Sequence, residues 1–187
     1  MRVPVLVLPL LLLAGCGIAP FRSQHMSSSA VVLQTPVVEQ DEMYDCGLAA
    51  ISALCGYYRV EIPESQRTEL AQLARRHEGL SGTELREALE RLGMEVYLFE
   101  GRIEEGPTSL RANLLARRPM LVLIDLGGSH HYTLVVGFDP AADSLVMVDP
   151  TLGKIVMDTQ AFENRWAATR HFSMLAVPRK GDWHGTR

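Results

Sequence analysis

Apolar positions along this chain recur at helical spacing from Leu48 to Leu92, then crowd into short aliphatic and β-branched runs from Met120 to Val177. That change of period divides the chain into a helical half and a strand-rich half. Leu48, Ile51, Cys55 and Tyr58 mark the buried face of a first helix. Asp45 is placed to cap it. Ser65 is expected to cap a second helix, whose Leu70, Leu73, Ala74 and His77 share a side, which makes His77 a core histidine. A third runs from about Thr83 through Leu85, Leu89 and Leu92 to a stop at Gly93. A short strand over Glu95–Phe99 and a helix over Leu110–Arg117, halted before Pro119, follow. Strands are predicted at Met120–Ile124, His131–Phe138, Leu145–Val148 and Lys154–Met157, then a helix over Gln160–Ala168 and a last strand over His171–Val177. Gly127-Gly128-Ser129, Asp139-Pro140 and Thr151-Leu152-Gly153 are the turns between them. Short connections favour antiparallel pairing, so the class is α+β, with a helical half packed on a mainly antiparallel sheet.

The N-terminus follows other rules. Arg2 precedes an apolar core, Val3 to Leu13, too short to span a bilayer, as in a secretory signal. Leu13-Ala14-Gly15-Cys16 resembles the bacterial lipobox, which implies cleavage before Cys16 and acylation of that cysteine. Several acyl chains on one residue give stable anchoring. Gly17 stands where an inner-membrane retention signal such as aspartate would, so the resemblance implies the outer membrane, on its periplasmic face. The expected organisation is a signal peptide over 1–15, a lipidated N-terminus and tether over 16–36, one domain over 37–178 and a tail over 179–187; the alternative for the tether is an arm packed along the domain, to which the apolar Val31-Val32-Leu33 of its second half is suited.

Net charge is −4, with no basic cluster larger than an arginine pair, which gives nucleic-acid binding no support. Of three cysteines, Cys16 is assigned to lipid. Cys46 and Cys55 lie nine residues apart on one helix, roughly 13 Å along its axis, too far for a disulfide. Cys55, on the apolar face, is expected to be a buried small hydrophobe. No Cys-x-x-Cys or His-Glu-x-x-His spacing is present, and neither a metal nor a cofactor is expected.

The chemistry is concentrated in QDEMYDCGLAA, residues 40–50, which sets Cys46 at a helix start six positions after Gln40. Downstream, GSHHYTLVVGFD puts a histidine at the head of a strand, and LVMVDP puts Asp149 just past another. A thiol, an imidazole, a carboxylate and an amide donor are the parts of a cysteine hydrolase. Backbone amides and the helix dipole stabilise a thiolate at such a position. His130 and His131 project to opposite faces, so one of them meets the thiol and the other lies at the rim.

Gln40-x5-Cys46-Gly47, the His131–Gly137 strand and Asp149-Pro150 together resemble the double-glycine-leader cysteine peptidases that process bacteriocins and related peptides. The likeness covers roughly Val37 to Pro178 and implies a papain-like fold. It implies Cys46 as nucleophile, His131 as general base and acid, Asp149 as the carboxylate orienting it, and Gln40 as oxyanion donor, sharing that task with the Cys46 amide. It also implies cleavage of a polypeptide after small residues. Many such peptidases are domains of export transporters, whereas this chain reads as solitary and exported. Its expected substrate is therefore an exported polypeptide, with export machinery a possible partner. Two rival readings are a papain-like peptidoglycan hydrolase, whose lipoproteins carry Asp-Cys-Ser-Gly where this chain has Asp45-Cys46-Gly47, and a non-catalytic domain that binds export substrates.

Overall fold

A computed structural model describes residues 17–104 and 106–179. The signal peptide, Cys16 and most of the C-terminal tail lie outside the described residues. The elements in chain order are β1 (Ile18–Pro20), a 3-10 turn (Ser23–His25), β2 (Val31–Val32), α1 (Cys46–Tyr58), α2 (Glu64–His77), α3 (Gly82–Arg91) and β3 (Met94–Glu100). There follow α4 (Leu110–Leu115), β4 (Met120–Asp125), β5 (His130–Asp139), β6 (Ser144–Asp149), β7 (Gly153–Asp158), α5 (Thr159–Ala167) and β8 (Phe172–Pro178). Helices precede the sheet and each paired strand is antiparallel, as the change of period predicts.

The sheet order is β1-β7-β6-β5-β4-β8-β3, with β2 joined to β5. Three hairpins, β4-β5, β5-β6 and β6-β7, build its centre. Helix α1 lies across β5, and its Ile51, Leu54 and Cys55 are fully enclosed. Nearly every position of α1 is buried, which is why its apolar residues run almost continuously instead of forming one stripe. On the other side, Phe162 and Trp166 of α5 fill the space beside β4, and the Trp166 indole donates to the Phe172 carbonyl at 3.0 Å.

Helix starts differ from the sequence expectation. Helix α2 begins at Glu64 after Pro63, so Ser65 is inside it rather than its cap. Helix α3 carries a full capping box that the pattern alone did not single out: the Ser81 hydroxyl accepts from the Glu84 amide and the Glu84 carboxylate from the Ser81 amide. Asp45 precedes α1 but makes no side-chain cap bond. Its backbone, at φ −92° and ψ 6°, lacks the extended geometry that aims a capping carboxylate at the first amides.

The segment before the domain is also different. In place of a flexible leash, residues 17–36 run along the body as a docked arm. Ile18, Ala19 and Pro20 pair with Met157, Val156 and Ile155. Val31 and Val32 pair with Phe138 and Gly137, and the Leu33 amide donates to the Val136 carbonyl at 2.8 Å. Between them the Ser27 hydroxyl and amide donate to Asp139, at 2.6 and 2.7 Å. The arm depends on a missing side chain: a Cβ at Gly137 would collide with the Val31 carbonyl oxygen.

Candidate active site

Three elements bring the chemistry to one end of the sheet. Helix α1 opens with Cys46, β5 opens with His130 and His131, and β6 closes on Asp149. The β4-β5 hairpin turns on Gly127 and Gly128, both at positive φ, while the Asp125 carboxylate accepts from their amides. Alternation along β5 leaves His130 exposed and turns His131 inward, where it is 8% exposed.

His131 Nε2 lies 3.0 Å from Asp149 Oδ2. The other carboxylate oxygen, Oδ1, accepts from the amides of Thr151 and Leu152 at 2.9 and 3.0 Å. Asp149 is thus gripped on both sides and cannot rotate without breaking backbone bonds. With Nε2 committed, Nδ1 is the ring nitrogen left for the sulfur of Cys46. Burial alone pushes the Cys46 thiol up, but the hydrogen bond to His131, the Tyr132 amide and the charge on the imidazole outweigh it, and the thiol sits below its ordinary range. Burial opposes charge on His131 too, yet Asp149 and Cys46 raise it to about 9. Asp149, burial notwithstanding, is held below the usual carboxylate range by His131 and the Thr151 and Leu152 amides. The three shifts run in one direction, each favouring the charged form of its group: sulfur, ring and carboxylate.

Asp45 contributes no bond to these groups. Its Oδ1 is buried without a hydrogen-bond partner, and burial with the neighbouring Glu42 raises its carboxyl. The first amides of α1 therefore stay unclaimed by that carboxylate, and the Gly47 amide favours charge on Cys46. Gly47 also has a packing reason to lack a side chain, since a Cβ there would sit 3.3 Å from both Leu85 and the Tyr132 ring.

Gln40 is placed differently. Its amide and the Thr151 hydroxyl lace it to the Asp149 turn: Gln40 N donates to the Pro150 carbonyl at 3.0 Å, and Thr151 Oγ1 donates to Gln40 Oε1 at 3.3 Å. Its Nε2 donates to the Glu42 and Met43 carbonyls at 3.0 and 3.4 Å, so in this state both side-chain donors are engaged within the loop before Cys46.

Beside Cys46 opens a cleft of about 590 Å³, walled by Met43, Tyr44, Leu80, Ser129, His130 and Tyr132. His77 belongs to its rim and is not a core residue. It is exposed in the last turn of α2 and pairs with Glu84 of α3 at 2.8 Å. The same Glu84 carboxylate holds the Ser81 cap, so the wall is tied to the helix start. The amides of Tyr132, Thr151 and Leu152 were not legible beforehand, since backbone groups carry no mark in a sequence. Cys55 is buried and free, its thiol pushed up to about 12 by burial. Among the described residues no group of three or more His, Cys, Asp or Glu is placed to hold a metal ion.

A thiol at a helix start beside a carboxylate-held imidazole, on this fold, is the arrangement of a cysteine peptidase of papain-like architecture. The chain belongs to the Peptidase C39 family, which it matches over residues 34–175. No curated protein matches it. Among solved structures it is similar to a double glycine motif protease from an AMS/PCAT transporter in complex with the leader peptide, at 17% identity and a TM-score of 0.62, over 79% of this chain and 94% of that one. It is similar also to the peptidase domain of Streptococcus ComA, a bifunctional ABC transporter involved in a quorum-sensing pathway, at 18% identity and TM-score 0.59, over 76% and 98% of the two chains. A C39-like peptidase from Bacillus anthracis aligns at 15% identity and TM-score 0.60, over 81% and 99%. Identities this low speak for the shared fold.

Proposed function

We propose that this protein is an endopeptidase of the double-glycine type, which cuts an exported polypeptide after small residues while held to the membrane by a lipid on Cys16. Cys46 is the nucleophile, His131 the proton carrier and Asp149 its orienting carboxylate. The observation that carries this reading is the buried contact of His131 with Asp149, which commits one ring nitrogen and leaves the other for the sulfur. Thiolate attack on the carbonyl carbon gives a tetrahedral oxyanion. His131 then protonates the leaving amine, and water, deprotonated by the same ring, hydrolyses the thioester. The Cys46 amide and Gln40 are the proposed oxyanion donors. The 3.4 Å bond from Gln40 to Met43 is the weaker of its two and the one to be exchanged for the oxyanion.

A structural neighbour in complex with a leader peptide supports a polypeptide substrate, and export machinery is the partner suggested by two neighbours that come from transporters. A library of peptides bearing Gly-Gly, Gly-Ala or bulky pairs tests the specificity. Turnover confined to small pairs, and lost in Cys46→Ala, is the expected result. Turnover of bulky pairs alone would refute the assigned specificity.

A further inference from the structure

Resting on the lipid anchor just proposed, we infer that the acyl chain fixes the orientation of the enzyme: the end of the sheet opposite the catalytic cleft lies on the bilayer, and the cleft opens toward water. The geometry comes from how soon the chain is captured after Cys16. Gly17 accepts from the Asp158 amide at 3.0 Å, and β1 begins at the next residue. No slack separates a lipidated Cys16 from the sheet. The lipid therefore leaves the body where Gly17 does.

That place is set by the strand register. Ile18 pairs with Met157 near the end of β7; Asp158 pairs with Ser144 at the start of β6, and Ser144 with Asp139 at the end of β5. His131 occupies the other end of β5 and Asp149 the other end of β6. Eight residues of strand separate the level of His131 from that of Asp139, about 26 Å at the usual rise. The arm climbs from Gly17 to Lys154, where the Phe21 amide donates to the Lys154 carbonyl, and the Ser27 clamp on Asp139 brings it back to that far end.

Charge does not set the direction. Arg59 at the end of α1, and Arg117 and Arg118 before β4, are exposed at the anchor end, but Glu61, Glu95, Asp143 and Asp158 are exposed there with them. Around the cleft Glu42, Glu78, Glu84 and Asp125 are accompanied by Arg75, Arg76, His77 and His130. The covalent tether, with no slack, is what holds the anchor end down. The bond to be cut must then stand clear of the headgroups by roughly the height of the sheet. The substrates this geometry admits are segments already in the aqueous phase; a bond at the membrane surface is out of reach.

The test uses the full-length, lipid-modified protein in vesicles containing anionic lipid and a headgroup-attached nitroxide quencher. A genetically encoded fluorophore is placed either at Ala142, at the anchor end, or at Leu126, beside the catalytic hairpin. Loss of most of the Ala142 emission, with Leu126 emission retained, is expected. Insertion of a Gly/Ser linker of about 20 residues after Cys16 should weaken that contrast. Equal or stronger quenching at Leu126 overturns the orientation while leaving the anchor standing. Failure of the protein to join vesicles, or persistent binding by Cys16→Ser, overturns the anchor and the orientation with it.

Discussion

Replacing Asp149 by Asn removes the charge on one side of the His131 ring while keeping a group of the same shape under the Thr151 and Leu152 amides. Asp149 and Cys46 together move His131 from its ordinary 6.5 to about 9. At pH 8 a ring titrating at about 9 is roughly nine-tenths protonated, and one returned to 6.5 is about one-thirtieth protonated. Amide hydrolysis needs that proton for the leaving amine, so Asp149→Asn should lose up to about thirtyfold at pH 8 from protonation alone, and much less at pH 6. The assay is kcat/KM against pH on a small-residue peptide, with the pH profile of Cys46 alkylation by iodoacetamide recorded in parallel. In the wild type the alkaline limb should fall near 9; in the variant it should move toward 6.5. A variant whose limb stays near 9 would refute the claim that Asp149 sets the proton affinity of the ring. Stability is linked with the same sign. The His131 contribution is complete below 6.5 and is lost as pH rises through about 9.

Four other outcomes are expected. Cys46→Ala and His131→Ala should both abolish turnover with the fold retained, while His130→Ala stays active; inactivity of His130→Ala with activity in His131→Ala would exchange their roles. Gln40→Ala should lower kcat by about 100- to 1000-fold, the usual effect of one lost oxyanion donor, and an unchanged kcat would leave the Cys46 amide to act without it. Gly137→Ala should destabilise the protein by about 1–3 kcal/mol in urea and raise hydrogen exchange at the Leu33 amide, which stays protected only if β2 never needed the close approach. Ser81→Ala should cost about 1 kcal/mol in the same assay, and no change would mean that the capping box contributes nothing beyond solvent.

The two-part architecture was legible because period is a direct image of burial. His131 was legible as one of two candidates, since strand alternation admits only one inward ring. Side-chain roles at helix starts were less so. Asp45 has the right residue type for a cap and the wrong backbone for one, and residue type alone does not report the backbone angles. His77 keeps helical spacing with Leu70 and Ala74, but spacing does not tell how far the neighbouring helix α1 covers that face, and the cover stops before His77. The engagement of Gln40 with the Glu42 and Met43 carbonyls is a loop conformation, for which a motif of side chains six apart has no signal. Of the arm, only the apolar Val31-Val32-Leu33 hinted at docking, and the pairing of Ile18–Pro20 carried no signal. Two- and three-residue strands are too short to show alternation, and their partners are more than a hundred residues away.

Strand β4 accompanies β5 only as far as Val135, and β2 takes over beside Gly137 and Phe138. The family match begins at residue 34, after that patch. Trimming the protein to the family boundary would therefore bare unpaired amides and carbonyls on a central strand, a ready template for a second molecule. Such a shortened form is expected to self-associate even with its catalytic groups intact.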